Sequence, residues 1–246
     1  MAHTILVIPC YNEASRLDIP TIERFVMSNT QVNLLFVNDG SNDNTFTVLK
    51  TLEQNHPDRV TVLDLPHNMG KHQAVRQGML MALNQAEYVG YWDADLSTPL
   101  NEVSQFSDEF SRFPSLQIVM GSRVKIMGRH IERKRTRHYI GRVFATFVSI
   151  LLKTPFYDTQ CGAKLFKVTD TLSDILQNPF KTSWIFDVEL LQRFMAHPNI
   201  TSQSDVSELI HEIALNHWVD VPGSKLKLRD FVFAAKDLIK IYWLKS

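Results

Sequence analysis

The sequence predicts an α/β fold: a Rossmann-like, doubly wound, mainly parallel sheet in a single domain. Three observations predict it. Four short apolar runs recur between residues 4 and 92, and the first three are each followed by a stretch with helical apolar spacing. Each run empties into polar turn residues: Tyr11-Asn12-Glu13, Asp39-Gly40-Ser41, His67-Asn68-Met69-Gly70-Lys71 and Asp93-Ala94-Asp95. Strict strand–helix alternation argues parallel strands, which brings those four turns to one edge, the side on which such sheets bind ligands.

In chain order, residues 4–8 form a buried strand closed by Pro9, since proline removes a ladder donor. Residues 19–27 carry Ile19, Ile22, Phe25 and Val26 at helical spacing. A second strand, 32–37, runs into the turn signal Asn38-Asp39-Gly40-Ser41. The helix 44–54 turns Phe46, Val48, Leu49 and Leu52 inward, and 60–65 is a third strand. Residues 71–84 are a helix with a stripe of Ala74, Val75, Gly78, Met79, Ala82 and Leu83, and 88–92 is the fourth strand. Beyond Pro99 the pattern loosens. Val103, Phe106, Phe110 and Phe113 predict a helix, 117–120 a strand closed by Gly121-Ser122-Arg123, and 139–152 a helix. Strands at 162–167 and 212–219, a helix at 186–195 and an apolar closing helix at 229–243 complete the expectation. With no repeat or linker, 1–246 is read as one domain, its regularly alternating half ending near 99 and its less regular half covering 100–246.

Bulk properties narrow the function. The chain has 246 residues, 44% hydrophobic and 21% charged, enough for one sizeable core. Lys plus Arg equals Asp plus Glu at 26 each, so net charge is zero and no nucleic-acid partner is expected. Two cysteines, Cys10 and Cys161, do not make a disulfide framework, and Cys161 reads as a small packed residue. Met1-Ala2-His3 leads straight into a strand, and the longest apolar segment, 143–152, is far short of the ~20 residues of a membrane span. A cytoplasmic protein, at most peripheral to a membrane, is the expectation.

The candidate chemistry lies in the turns. Asp93 and Asp95 end the fourth strand two positions apart, and a hard divalent cation, Mg²⁺ or Mn²⁺, suits two such carboxylates completed by substrate phosphates. Asp39 either accepts hydrogen bonds from a base or ribose or simply forms the Asp-Gly turn. Lys71 opens a helix, where an anion is favoured, although a solvated lysine is the commoner fate. Residues 123–142 hold eight Lys or Arg against Glu132 alone, a net +7 in a neutral chain. As a basic loop this segment would clamp a phosphorylated acceptor or sit on anionic lipid; a nucleic-acid patch or a solvated charge run is the bland alternative. Arg123, which ends a strand, and Arg133, in the most basic run, stand out. Asp158-Thr159-Gln160-Cys161-Gly162 sets an acid and an amide before a strand, as a catalytic or acceptor-facing group or as an Asx-type turn. Asp187 and Glu189 open a helix, where the dipole alone favours acids.

Together these motifs resemble the family 2 inverting glycosyltransferases of GT-A fold, over nearly the whole chain. Val7-Ile-Pro-Cys-Tyr-Asn-Glu13 is similar to the family's opening strand and donor loop, Val37-Asn-Asp-Gly-Ser41 to its nucleoside-binding turn, Asn68-Met-Gly-Lys-His-Gln-Ala-Val-Arg76 to its Lys-bearing helix start and Asp93-Ala-Asp95 to its metal-binding motif. Gly121-Ser-Arg123, Asp158-Thr-Gln-Cys-Gly-Ala-Lys164, Trp184-Ile-Phe-Asp-Val-Glu-Leu190 and Pro222-Gly-Ser-Lys225 resemble the dolichyl-phosphate glucosyltransferase and polyprenyl-phosphate glycosyltransferase branch.

The resemblance implies donor binding by Pro9, Tyr11, Asn12, Glu13, Asp39, Lys71 and Asp93, with metal on Asp95 and Asp93. It implies acceptor binding by Arg123, Arg133 and Gln160, with Asp158, then Asp187, as candidate catalytic bases. The expected reaction is inverting transfer of a hexose, glucose from UDP-glucose, to a polyprenyl or dolichyl phosphate. Ser97, where mannosyl-phosphate synthases tend to carry Gln, argues against a GDP-mannose donor. The alternatives are a transferase of the same fold acting on a soluble saccharide hydroxyl, and a nucleotide-sugar-binding protein without turnover.

Overall fold

The computed structural model describes residues 3–133, 135–200, 203–221, 236–238 and 240–241. The chain divides into two compact units, Met1–Leu96 with Gly162–Pro179, and Ser97–Cys161 with Phe180–Ser246.

The first unit is the doubly wound sheet. Strands β1 (Thr4–Cys10), β2 (Val32–Asn38), β3 (Val60–Asp64) and β4 (Tyr88–Trp92) alternate with helices α1 (Ile19–Ser28), α2 (Thr45–Asn55) and α3 (Lys71–Ala82). The strand order is β3-β2-β1-β4, all parallel, with the later strand Ala163–Lys167 antiparallel beside β4. The winding order reverses between β1 and β4, so Tyr11-Asn12-Glu13 and Asp93-Ala94-Asp95 leave the sheet at its topological switch point. Leu6, Val7, Ile8, Phe36, Val37, Val89, Tyr91 and Trp92 are fully shielded, the near-continuous apolar strands of a sheet covered on both faces. Helix α3 lies against β1 and β2 at Gly78, where a Cβ would meet the Val7 and Val37 side chains.

Strand β1 continues through Pro9 to Cys10, two residues beyond the expected stop. Thr4 N–H donates to Gln31 and Cys10 accepts from Asp39 N–H, so even-numbered residues of β1 bond towards β2. Pro9 therefore points to the β4 side, where pairing has already ended at Val7 opposite Tyr91. Its missing N–H costs no ladder bond there.

The second unit contains α4 (Val103–Arg112), β5 (Ile118–Ser122), β6 (His130–Glu132) and α5 (Arg135–Leu152). After β7 (Ala163–Lys167) and α6 (Asp170–Gln177), both in the first unit, it resumes with α7 (Phe186–Met195), α8 (Gln203–Leu209), β8 (Ile210–Ala214) and β9 (His217–Val219). β5 pairs with β8 and β6 with β9, both parallel. The basic segment 123–142 is thus not one loop: it contains β6 and the first turns of α5. The strand expected at 212–219 is two strands, broken at Leu215-Asn216. Strand β6 and helices α6 and α8 were not legible as separate elements. Pro222-Gly-Ser-Lys225 and most of the closing helix lie outside the described residues, although 236–238 and 240–241 are helical.

Candidate active site

The candidate residues gather into two clusters, one in each unit. In the first unit the cluster starts from the turn after β2. The Asp39 carboxylate is buried and accepts from Met69 N–H at 2.7 Å, Gly70 N–H at 2.9 Å and Asn68 Nδ2 at 3.1 Å. Burial pushes its pKa above the ordinary carboxylate range, against the lowering effect of those two backbone donors. Gly40 follows at φ 60°, and a Cβ there would overlap the backbone of His67 and Asn68. Only glycine lets this turn and the 67–70 loop approach so closely. The carboxylate thereby fixes the entry to α3 and the place of Lys71.

The loop after β1 is tied to the same turn. Asn12 N–H donates to Ser41 Oγ at 3.0 Å, Asn42 N–H donates to Asn12 Oδ1 at 2.8 Å, and Glu13 N–H donates to Thr45 Oγ1 at 2.8 Å. Asn12 sits at φ 54°, a conformation that asparagine tolerates better than most residues. Tyr11 is exposed at the cluster's rim. Pro9 lies inside β1 and shapes the strand end.

Lys71 Nζ meets Asp93 Oδ1 at 2.5 Å, joining the start of α3 to the end of β4. Asp93 N–H donates to Gly162 O at 3.0 Å, and Leu96 N–H donates to Asp93 O at 3.1 Å, closing a tight turn with Leu96 at φ 51°. Asp93 and Asp95 are both half-buried. Among the described residues no group of three or more His, Cys, Asp or Glu side chains gathers as a metal cage. Two neighbouring carboxylates fit a different arrangement, in which a cation shares its shell with a ligand's phosphates.

Gly162, which the sequence reading quoted only as part of the 158–162 turn, packs against this cluster. A Cβ there would overlap the Asp93 carboxylate. The Asp-x-Asp turn can lie against β7 only because residue 162 has no side chain. Gly162→Ala is expected to swing Asp93 off Lys71 and lower turnover roughly tenfold or more, the effect of overpacking by about 1–3 kcal/mol. Hydrolysis of UDP-hexose by the variant checks it; an unchanged rate removes Gly162 from the site.

In the second unit Asp158 is buried and takes Arg123 in a bidentate grip: Arg123 Nε to Oδ2 and Arg123 Nη2 to Oδ1, both 2.6 Å, with Arg123 N–H to Oδ2 at 3.1 Å. Arg133 Nη1 stands 3.9 Å from Oδ2. Burial alone would raise the Asp158 pKa; the charge and hydrogen bonds of Arg123 outweigh it and hold the carboxylate at about 2. Such a group is a feeble base and a strong anchor for two guanidinium groups. Glu212 holds the turn in place, accepting Tyr157 N–H at 2.7 Å and Asp158 N–H at 2.5 Å. As a lone strand glutamate it gave no signal in the sequence.

Arg123, Lys125, Ile131, Arg133, His138, Tyr139 and Tyr157 line a cavity of about 470 Å³. The cationic lining suits an anion. Gln160 Nε2 is buried without a hydrogen-bond partner among the described residues. Asp187 is buried in the first turn of α7. Its neighbour Glu189 is structural: it accepts from Lys181 N–H, Thr182 N–H and Thr182 Oγ1, and pairs with Arg193 at 2.6 Å. The two cysteines form no disulfide and both are buried, and burial pushes the Cys10 thiol far up, which does not suit a nucleophile.

Residues 5–172 match the family described as glycosyl transferase family 2. The chain belongs to glycosyl transferase family 2. Within it, this chain is 30% identical over 251 residues to a dolichyl-phosphate beta-glucosyltransferase of Trichomonas vaginalis, covering 97% of this chain and 70% of that protein. The enzymes of the same description from Dictyostelium discoideum and Homo sapiens are also 30% identical, over 251 and 237 residues. They cover 96% and 90% of this chain, and 72% and 68% of their own lengths. This family 2 glycosyltransferase is therefore related to the dolichyl-phosphate glucosyltransferase branch.

Its fold matches that of glucosyl-3-phosphoglycerate synthase from Mycobacterium tuberculosis. The complex of that enzyme with Mn²⁺, UDP and glucosyl-3-phosphoglycerate aligns at a TM-score of 0.70 and 15% identity, over 99% of this chain and 80% of that one. Its complex with Mn²⁺ and UDP-glucose aligns at 0.70 and 16%, over 99% and 79%. The architecture is the mixed α/β GT-A fold, as the sequence predicted.

Proposed function

We propose that this enzyme transfers a hexose, glucose foremost, from a UDP-sugar to an acceptor that carries an anionic group. The observation that carries the reading is the Asp39–Asn68–Met69–Gly70 clamp, joined through Lys71 to Asp93 at the strand ends of one sheet. Asp39 and the Tyr11-Asn12-Glu13 loop hold the nucleoside. Lys71 supplies positive charge on the diphosphate side. Asp93 and Asp95 hold Mg²⁺ or Mn²⁺, whose chemistry is to neutralise charge developing on the departing diphosphate. The glucosyl-3-phosphoglycerate synthase structures, with UDP, UDP-glucose and Mn²⁺ or Mg²⁺ bound, support this assignment of donor and ion.

On the acceptor side, Arg123 and Arg133 orient the anion, and Gln160 adds a donor. Asp158 acts as a positioning residue, because both of its oxygens are committed to Arg123. A phosphate oxygen is already nucleophilic near neutral pH, so a phosphate acceptor needs no strong base in a single inverting displacement. The relatives at 30% identity, named for dolichyl phosphate, support a lipid phosphate. A second reading, a soluble acceptor, is favoured by the structural neighbours, which carry phosphoglyceric acid. On that reading Asp187 takes the proton from an attacking hydroxyl.

The donor test is thermal. UDP with Mn²⁺ is expected to raise Tm, through selective binding to the folded state, with a smaller shift for GDP and for UDP in EDTA. A larger shift with GDP overturns the UDP-sugar reading. Incubation with UDP-glucose and either polyprenyl phosphate or 3-phosphoglycerate then separates the acceptors. Binding of donor without hydrolysis or transfer leaves only a sensor.

A further inference from the structure

We propose that helix α5 docks this protein on an anionic lipid surface. The inference stands on the second unit alone and does not depend on which acceptor is used.

Helix α5 is apolar on two opposite sides. Ala145, Val148 and Leu152 are buried and point into the unit. Tyr139, Val143, Phe147 and Ile150 are 68%, 58%, 60% and 70% exposed, with Ile140 at 44%. At about 100° per residue the four fall within an arc of roughly 80°, on the side opposite the buried three. The solvent side of a surface helix is ordinarily polar. From Tyr139 onward the polar residues of the helix, Arg142, Thr146 and Ser149, are confined to one flank. A continuous exposed stripe of this kind marks an interaction surface.

The charge around the stripe selects its partner. In sequence, residues 123–142 carry eight Lys or Arg against Glu132; Arg123 and Arg133 are turned onto Asp158, Lys125 is exposed, and the stripe begins inside that segment and runs past it. Lys153, at the far end of the helix, is exposed. The loop before β6 repeats the pattern: Met127 is 99% exposed and Ile126 49%, between Lys125 and Arg129. Lys125 and Tyr139 line the same cavity, so this loop and the start of α5 are neighbours. Basic residues beside exposed apolar and aromatic ones suit a bilayer, with anionic headgroups above and hydrocarbon below. A second copy of the chain is disfavoured, because a self-complementary contact through this face would bring two segments of like, positive charge together. None of the described helices is long and apolar enough to cross a membrane. The contact is therefore one of lying on the surface.

The test uses the full chain in co-sedimentation with phosphatidylcholine vesicles, with and without phosphatidylserine. Wild-type protein is expected to bind the phosphatidylserine vesicles and to release as salt is raised. The variant Val143→Ser, Phe147→Ser, Ile150→Ser is expected to lose binding by at least about tenfold, from the lost apolar burial, with Tm and UDP-hexose hydrolysis unchanged. Wild type that ignores phosphatidylserine vesicles, or a triple variant that binds them equally well, overturns the proposal. Wild type that dimerises without lipid, through a contact the triple variant abolishes, assigns the face to a second copy and also overturns it. Binding to vesicles without transfer to polyprenyl phosphate refutes the lipid acceptor and leaves the docking face standing.

Discussion

Asp95→Asn is expected to fold to the wild-type Tm and to lose on the order of 10²-fold or more in turnover, the usual scale for removing one group that stabilises charge in a transition state. The turn explains why Asp95 is the informative position. Asp93 already meets Lys71 and packs on Gly162, so replacing it disturbs α3 and β7 as well as any bound cation. Asp95 stands one residue past buried Ala94, half-buried on the same strand end. The amide is isosteric, and it removes a charge without removing shape. Two measurements read the result: the rate of UDP-hexose hydrolysis and the Mn²⁺-dependence of the UDP-induced rise in Tm. Both should fall together. Near-normal turnover, or wild-type turnover that persists in EDTA, removes Asp95 from the site.

How much of this was legible in the sequence follows from how local each signal is. The first unit was readable almost element by element. Its strands are short apolar runs, its helices have clean apolar stripes, and its turns carry Gly, Asn and Asp. The Asp39 clamp was half legible: Asp39 and the Asn68-Met69-Gly70 motif were both singled out, but not that one accepts hydrogen bonds from the other across about thirty residues. Strand β7 was recognised as a strand, yet its antiparallel place beside β4 depends on a long excursion of chain. The same excursion hid the return of Gly162–Pro179 to the first unit. Gly162 was quoted as part of a turn, but its packing role was hidden for that reason, since its value is the absence of a side chain facing Asp93. In the second unit, β6 and β9 are three residues each, too short for any periodicity to register. The apolar stripe of α5 was visible as composition, but its direction was not. A pattern apolar on both faces has no inward side until the fold supplies one.

Asp158→Asn separates a base from an anchor, and its effect on stability should be the largest of the single substitutions considered. In the wild type the carboxylate sits at about 2 against an ordinary 3.8, because Arg123 outweighs the cost of burial. A depressed carboxylate contributes stability that is fully present above the unfolded value, near pH 4, and is lost as pH falls through about 2. That shift corresponds to about 2 kcal/mol. The amide also leaves the Arg123 guanidinium largely buried beside a neutral group, and breaking a buried pair costs about 3–5 kcal/mol. At neutral pH the variant should therefore melt roughly 6–20 °C lower. Its acid limb between pH 4 and 2 should be shallower than that of the wild type, because the titrating group is gone. Glu212, whose pKa is raised by burial and in part by the Asp158 charge, alters stability only above its ordinary value of 4.5 and so outside that limb. Kinetics at a temperature where both are folded then decide the role. An anchor for Arg123 and Arg133 predicts a rise in acceptor KM that exceeds the fall in kcat, with UDP-hexose hydrolysis intact. A loss confined to kcat, growing at low pH in the wild type as the carboxylate titrates, would make Asp158 the base after all.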